Sequence, residues 1–251
     1  MEWLTYGLLF GAGLGAGFVD AIAGGGGLIT VPSLLWAGLP PQYAIATNRF
    51  QSAFGTAVAT WSYHRAGLMN LRELGSGILF TALGAIGGAM ALAQGNPAVL
   101  RRIIPWLLLG IVVLVWMKPD LGGEPRPPRL GRTLFHLLSG LSLGFYDGFF
   151  GPGTGTFWAM ACVWFLGLDL RAATGHTKVM NLTSNLASIA IYLYSGLIQF
   201  DIGIVMALGQ LVGGRLGSGL VITRGVRLIR PVFLSVSVVL TGKLLWDQMA
   251  R

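Results

Sequence analysis

The sequence predicts an all-α integral membrane protein, a polytopic helical bundle of two inverted repeats. Each repeat has about five helical segments, with glycine-broken helices near the midplane. Three observations predict this. Of the 251 residues, 54% are hydrophobic and only 10% charged, against roughly 25% charged in soluble domains. Apolar runs follow one another along the chain at close to the roughly 20 residues that span a bilayer core. The second half also repeats the first. Tyr63 and Tyr192 are 129 positions apart (192 − 63), as are Gly84 and Gly213 (213 − 84), and Asp20 and Asp147 are 127 apart (147 − 20).

In order, the first repeat, 1–117, gives segments near 4–22, 27–39, 43–66, 73–94 and 99–117. Its start, MEWLTYG, lacks the basic region and cleavage site of a signal peptide and reads as the first membrane helix. Residues 118–132, KPDLGGEPRPPRLGR, are too rich in Pro, Gly and charge to span and form a cytoplasmic linker. The second repeat, 133–251, gives segments near 133–150, 155–168, 171–196, 201–223 and 228–247. Segments 27–39 and 155–168 are short, and the sequence leaves open whether they cross fully. Glycines spaced by four, Gly11 with Gly15, Gly84 with Gly88, Gly140 with Gly144, and Gly209 with Gly213 and Gly217, are expected at close helix contacts.

The net charge of +8 reads as sidedness. With five crossings per half, one side collects Arg65, Arg72, the linker charges, Arg171, Arg224, Arg227 and Arg230. The other side keeps mainly Arg101, Arg102 and Arg251. The positive-inside rule then places the chain in the cell (inner) membrane, multi-pass, with both termini outside. No basic run carries interleaved aromatics, so nucleic acid is not an expected partner. Cys162 is the single cysteine, and the three His are scattered. No metal site, cofactor or catalytic residue is expected, and H-E-x-x-H does not occur.

Polar residues inside apolar segments mark the site. Asp20 in GFVDAIAGGGGLITVP and Asp147 in GFYDGFFGPGTGTFW are expensive in a hydrocarbon medium. They read as coupling or gating acids inside the bundle, or as helix-end caps. The breaks that follow, Gly24, Gly25, Gly26 and Gly27, and Gly151, Gly153, Thr154 and Gly155, each end one helix and start another. A helix start offers free N–H groups to an anion; a tight hairpin turn is the simpler reading. The third segments open with ATNRFQ and ATGHTKVMNLTSN, where Asn48 and Arg49 match Thr177 and Lys178 at offset 129 (177 − 48; 178 − 49). Gln51, Asn181 and Asn185 extend these polar stretches, and Lys178, Asn181 and Asn185 share one helix face. Either the cations snorkel to the interface, or they line a cavity that takes a small anion. His176 is assigned with the acids to gating. Arg215, whose match is Ile86, is expected to be interfacial or structural.

These stretches, with YLYSG after the last, resemble the sulfite exporter TauE/SafE family (TSUP, formerly DUF81), from Gly11 to about Lys243. The resemblance implies a duplicated membrane transporter of small, often sulfur-containing anions such as sulfite, thiosulfate, sulfoacetate or related sulfonates. Arg49 departs from it, because a Lys is more usual there. The expected function is secondary transport by alternating access around a central site, with proton or ion coupling as one option. A passive anion channel is the alternative and an intramembrane enzyme the remote one. The expected partners are a small anionic substrate and the lipid bilayer, and a homodimer is compatible with the sequence.

Overall fold

The computed structural model describes residues 3–116 and 125–224, all helix and connection. The segment expected at 228–247 and the charges at Lys118, Arg227, Arg230 and Arg251 lie outside these residues. Nine α-helices are described: α1 (Trp3–Ala23), α2 (Gly27–Trp36), α3 (Pro41–Arg65), α4 (Gly75–Ala93), α5 (Pro97–Trp116), α6 (Arg132–Phe149), α7 (Thr154–Phe165), α8 (Leu170–Tyr194) and α9 (Phe200–Arg224). Two pairs of helices keep the sequence offsets at their bounds. α3 and α8 begin and end 129 positions apart (170 − 41; 194 − 65), and α2 and α7 begin 127 apart (154 − 27).

Local chemistry explains the ends. Pro41 opens α3 at a position that needs no N–H donor. Asp169 caps α8 by accepting from the N–H groups of Arg171 and Ala172 at 2.8 and 3.0 Å. α2 and α7 have 10 and 12 residues. At about 1.5 Å per residue each covers roughly half of a ~30 Å core, so neither crosses alone, and the five crossings per half expected from the charge count are not all made by single helices.

Helices meet through backbone at glycines. α1 packs on α9, with Gly13 against Met206, Gly17 against Gln210 and Phe18 against Gly217. α4 packs on α6, with Gly84 against Gly140 and Leu141 and Gly88 against Phe145. In both pairs the numbers rise together, so the helices run parallel. The pairing also maps onto itself when the halves are exchanged. One expectation is corrected: among the described residues nothing lies within 4 Å of a Cβ added at Gly11 or Gly15. Gly13 and Gly17, also four apart, make that contact. Spacing alone does not say which of two faces, about 200° apart on a helix, meets the neighbour.

The bundle is apolar outside and polar inside. Leu83, Trp106, Leu138, Leu186, Leu208 and Leu216 are exposed, while Asn48, Arg49, Gln51, Asp147, Lys178 and Asn185 are buried. That is the arrangement a hydrocarbon solvent selects. Trp3–Ile22, Gly75–Ala93 and Phe200–Ile222 are long and apolar enough to cross a membrane. α3 and α8 are 25 residues long, but they carry the polar interior.

Candidate functional site

The two helix breaks meet each other. Gly24 and Gly151 have φ of +70° and +93°, a conformation glycine adopts without cost. A Cβ on Gly24 would lie 2.6 Å from Gly155 Cα, and one on Gly155 would lie 2.5 Å from Gly24 Cα. The Thr156 N–H and hydroxyl both donate to the Gly24 carbonyl, at 3.1 and 3.0 Å. Each half thus closes an open helix end of the other. A Cβ on Gly151 would run into the Arg49 guanidinium, so this glycine makes room for the cation.

Two ion pairs cross between the halves. Arg49 of α3 reaches Asp147 of α6, with Nη1 2.7 Å from the carboxylate and side chains 5% and 2% exposed. Arg49 also donates to the Asp147 carbonyl and, at 3.0 Å, to Asn185 Oδ1. The Ser184 hydroxyl donates to the Asp147 carboxylate. Lys178 of α8 pairs with Asp20 of α1 at 3.2 Å and also donates to the Asp20 carbonyl. By the sequence offsets Arg49 matches Lys178 and Asp20 matches Asp147, so these are one pair made twice. Tyr63 and Tyr192 repeat the pattern, donating to the carbonyls of Ala21 and Gly148 at 2.9 and 2.5 Å.

Between the pairs lies a cavity of about 30 Å³, a water molecule's share of liquid volume. Asp20, Gly24, Gly25, Gly27, Asn48, Arg49, Asp147, Gly151, Gly153, Thr154, Gly155, Asn181 and Asn185 line it, together with Ser52 and Thr56. Asn181 is 7% exposed, and its Oδ1 has no partner. Asn185 Nδ2 donates to Thr56 Oγ1 at 3.4 Å.

Other residues singled out in the sequence stand elsewhere. Gln51 sits behind the cavity and donates to Asn48 Oδ1 at 2.9 Å. Thr177 is tied to its own helix through the Ala173 carbonyl at 2.8 Å. Gly26 faces back onto Ala16, and its N–H points to Asp20 Oδ1 at 3.4 Å. Lys178 is fully buried and paired with Asp20, and does not itself line the cavity. His176 lines a separate, larger chamber beside His136. It lies two residues from Lys178, about 200° round the helix. Arg215 donates to Ser62 Oγ at 3.3 Å. Thr56 is the lining residue that the polar stretches do not mark. The offset itself points to Thr56, since 129 maps Asn181 and Asn185 onto Ser52 and Thr56 (181 − 52; 185 − 56).

A charge-paired polar centre, sealed between two broken helices and wrapped in an apolar exterior, defines an integral membrane protein that handles a polar solute. The chain belongs to the sulfite exporter TauE/SafE family, whose model matches residues 9–244. It is 44% identical over 241 residues to a probable membrane transporter protein of Haemophilus influenzae, covering 96% of this chain and 94% of that one. To the probable membrane transporter protein YfcA of Escherichia coli K12 it is 41% identical over 244 residues, covering 97% and 91%. To the probable membrane transporter protein ORF9 of Sinorhizobium sp. it is 40% identical over 239 residues, covering 95% and 92%. No solved structure matches the chain at a significant level. The protein is a membrane transporter.

Proposed function

We propose that the chain is a secondary transporter of small anions, of the sulfite, thiosulfate or sulfoacetate type, coupled to protons at its central ion pairs. The observation that carries the reading is the double cross-half pairing of Arg49 with Asp147 and Lys178 with Asp20 around facing helix breaks. Both cations are already matched by carboxylates. An incoming anion must therefore displace a carboxylate, because a second negative charge in a low-dielectric centre is not tolerated. A proton on Asp20 or Asp147 removes that acid's claim on its cation and leaves the cation to the anion. Asn181 and the N–H groups at the breaks complete the anion's shell. Proton and anion travel together.

The halves, 1–117 and 133–251, are inverted repeats joined by the linker at 118–132, and they alternate access about the shared centre. Support comes from the parallel pairs α1 with α9 and α4 with α6, which exchange when the halves are exchanged. On this reading the linker is cytoplasmic and the chain a multi-pass protein of the inner membrane, in line with the positive-inside rule. A passive channel needs a continuous wet path, and a centre of about 30 Å³ favours the transporter.

The test is uptake of labelled thiosulfate, sulfite and sulfoacetate into proteoliposomes with and without a pH gradient. Accumulation driven by the gradient is expected, and it is lost in Arg49→Ala and Lys178→Ala. Uptake that ignores the gradient would remove the coupling; uptake of none of the three would remove the substrate class.

A further inference from the structure

A second chamber, of about 280 Å³, lies between the 66–74 connection, α6, the connection from α7 to α8, and α8. Two buried imidazoles line it, His136 and His176, 0% and 6% exposed, with ring centroids 5.2 Å apart. The Nε2 atom of each is buried and, among the described residues, has no hydrogen-bond partner. His136 Nδ1 lies 2.8 Å from Ser76 Oγ. When the hydroxyl donates there, Nε2 carries the proton and lacks an acceptor. Arg132 stands in the same wall, half-exposed and paired with Glu73, which also accepts from Asn70 at 2.8 Å.

The fold does not need polar groups here. In the other half His136 corresponds to Leu9 (136 − 127), His176 to Thr47 (176 − 129) and Glu73 to Ile202 (202 − 73 = 129). There Leu9 and Ile202 close with Leu34, Ala44 and Met206 into one apolar cluster. Thr47 Oγ1 accepts the Gln199 N–H at 3.0 Å. The same backbone is packed dry at one end of the molecule and holds a chamber with two unsatisfied imidazoles at the other. A buried donor without an acceptor is retained at a cost, so these positions serve something other than packing.

We propose that this chamber is a second binding site for a small oxyanion, held by the two imidazole N–H groups with the Arg132 guanidinium at its mouth. The kind of ligand rests on the anion-transport reading. The volume fits a small ion with a few waters, just below the ~300 Å³ at which pockets for larger ligands begin. A metal ion is disfavoured: Arg132 and Glu73 in the wall neutralise each other, and among the described residues no group of three His, Cys, Asp or Glu could hold a metal. The chamber lies at the end of the fold that carries Arg65, Arg72 and Arg171 near the chain connections. It is a waiting site on the basic side, from which the anion passes to the central pairs.

The experiment titrates thiosulfate into the purified full chain and into the double variant His136→Leu/His176→Thr. This variant installs the residues that the other half already accommodates. Two anions per wild-type chain and one per variant chain are expected. One in both overturns the chamber and leaves the central site standing. One in the wild type and none in the variant supports the chamber and overturns the central site. None in either overturns both. A second measurement needs no variant. The chain has three His, and thiosulfate should shift the imidazole resonances of His136 and His176 while exposed His64 stays fixed. Signals that answer zinc but not thiosulfate would overturn the anion assignment.

Discussion

Replacing Asp147 with Asn puts the exchange at the centre under direct test, because stability and affinity should move in opposite directions. Arg49 and Asp147 are buried, and the carboxylate lies 2.7 Å from the guanidinium. Removing one member of a buried pair costs about 3–5 kcal/mol, because the other charge is left uncompensated. The Asp147 carbonyl and Asn185 still accept from Arg49, which places the expected loss near ~3 kcal/mol. An anion then takes the carboxylate's place and gains a charge-assisted bond of about 1.5–3 kcal/mol, roughly ten- to hundredfold in affinity. The assays are unfolding midpoint in detergent with and without thiosulfate, and thiosulfate affinity by titration at two pH values. The variant should unfold earlier, recover with anion, and bind more tightly at the higher pH than the native chain does. Asp20→Asn should move both readouts less, since Asp20 is 18% exposed and its pair is longer at 3.2 Å. An Asp147→Asn variant that binds the anion no more tightly than the native protein refutes competition between carboxylate and substrate.

Three other outcomes are expected. Cysteines placed at the two termini of a Cys162→Ser background should label from outside, and one in the 118–132 linker only after permeabilisation; a cytoplasmic C-terminus contradicts the inverted arrangement. Gly24→Ala should abolish folded yield, since its φ is +70° and its Cβ would meet Gly155 at 2.6 Å, whereas Gly15→Ala meets nothing within 4 Å among the described residues and should gain up to about 1 kcal/mol of helix propensity. Tyr63→Phe and Tyr192→Phe each leave a helix-end carbonyl without its donor and should lose about 1–3 kcal/mol apiece, by similar amounts if the halves are equivalent; thermal unfolding measures both.

Much of this molecule is legible without coordinates, and the residues show why. Bilayer composition and apolar length follow from the solvent, so the helical membrane class is written in the composition. The offsets of 127 and 129 carry over into the bounds of α3 and α8, the starts of α2 and α7, and the left-handed glycines Gly24 with Gly151 and Gly67 with Gly196. Asp20, Asp147, Arg49 and Lys178 stand out because charge in an apolar run is costly. Partners are a different matter. An offset says which residues are equivalent, not which ones touch. Arg49 pairing within its own half or across to Asp147 would leave the same sequence. The choice is made where helices cross, by Gly13 and Gly17 meeting α9 in place of Gly11 and Gly15, and by Gly24 and Gly155 lying back to back. Helical rotation separated His176 from Lys178, and packing gave the polar chamber to one end and the apolar plug to the other. The sequence by itself therefore determined the solvent, the duplication and the chemical groups. Only the tertiary structure decided that each cation is held by the other half's acid, because that contact depends on distances between segments far apart in the chain.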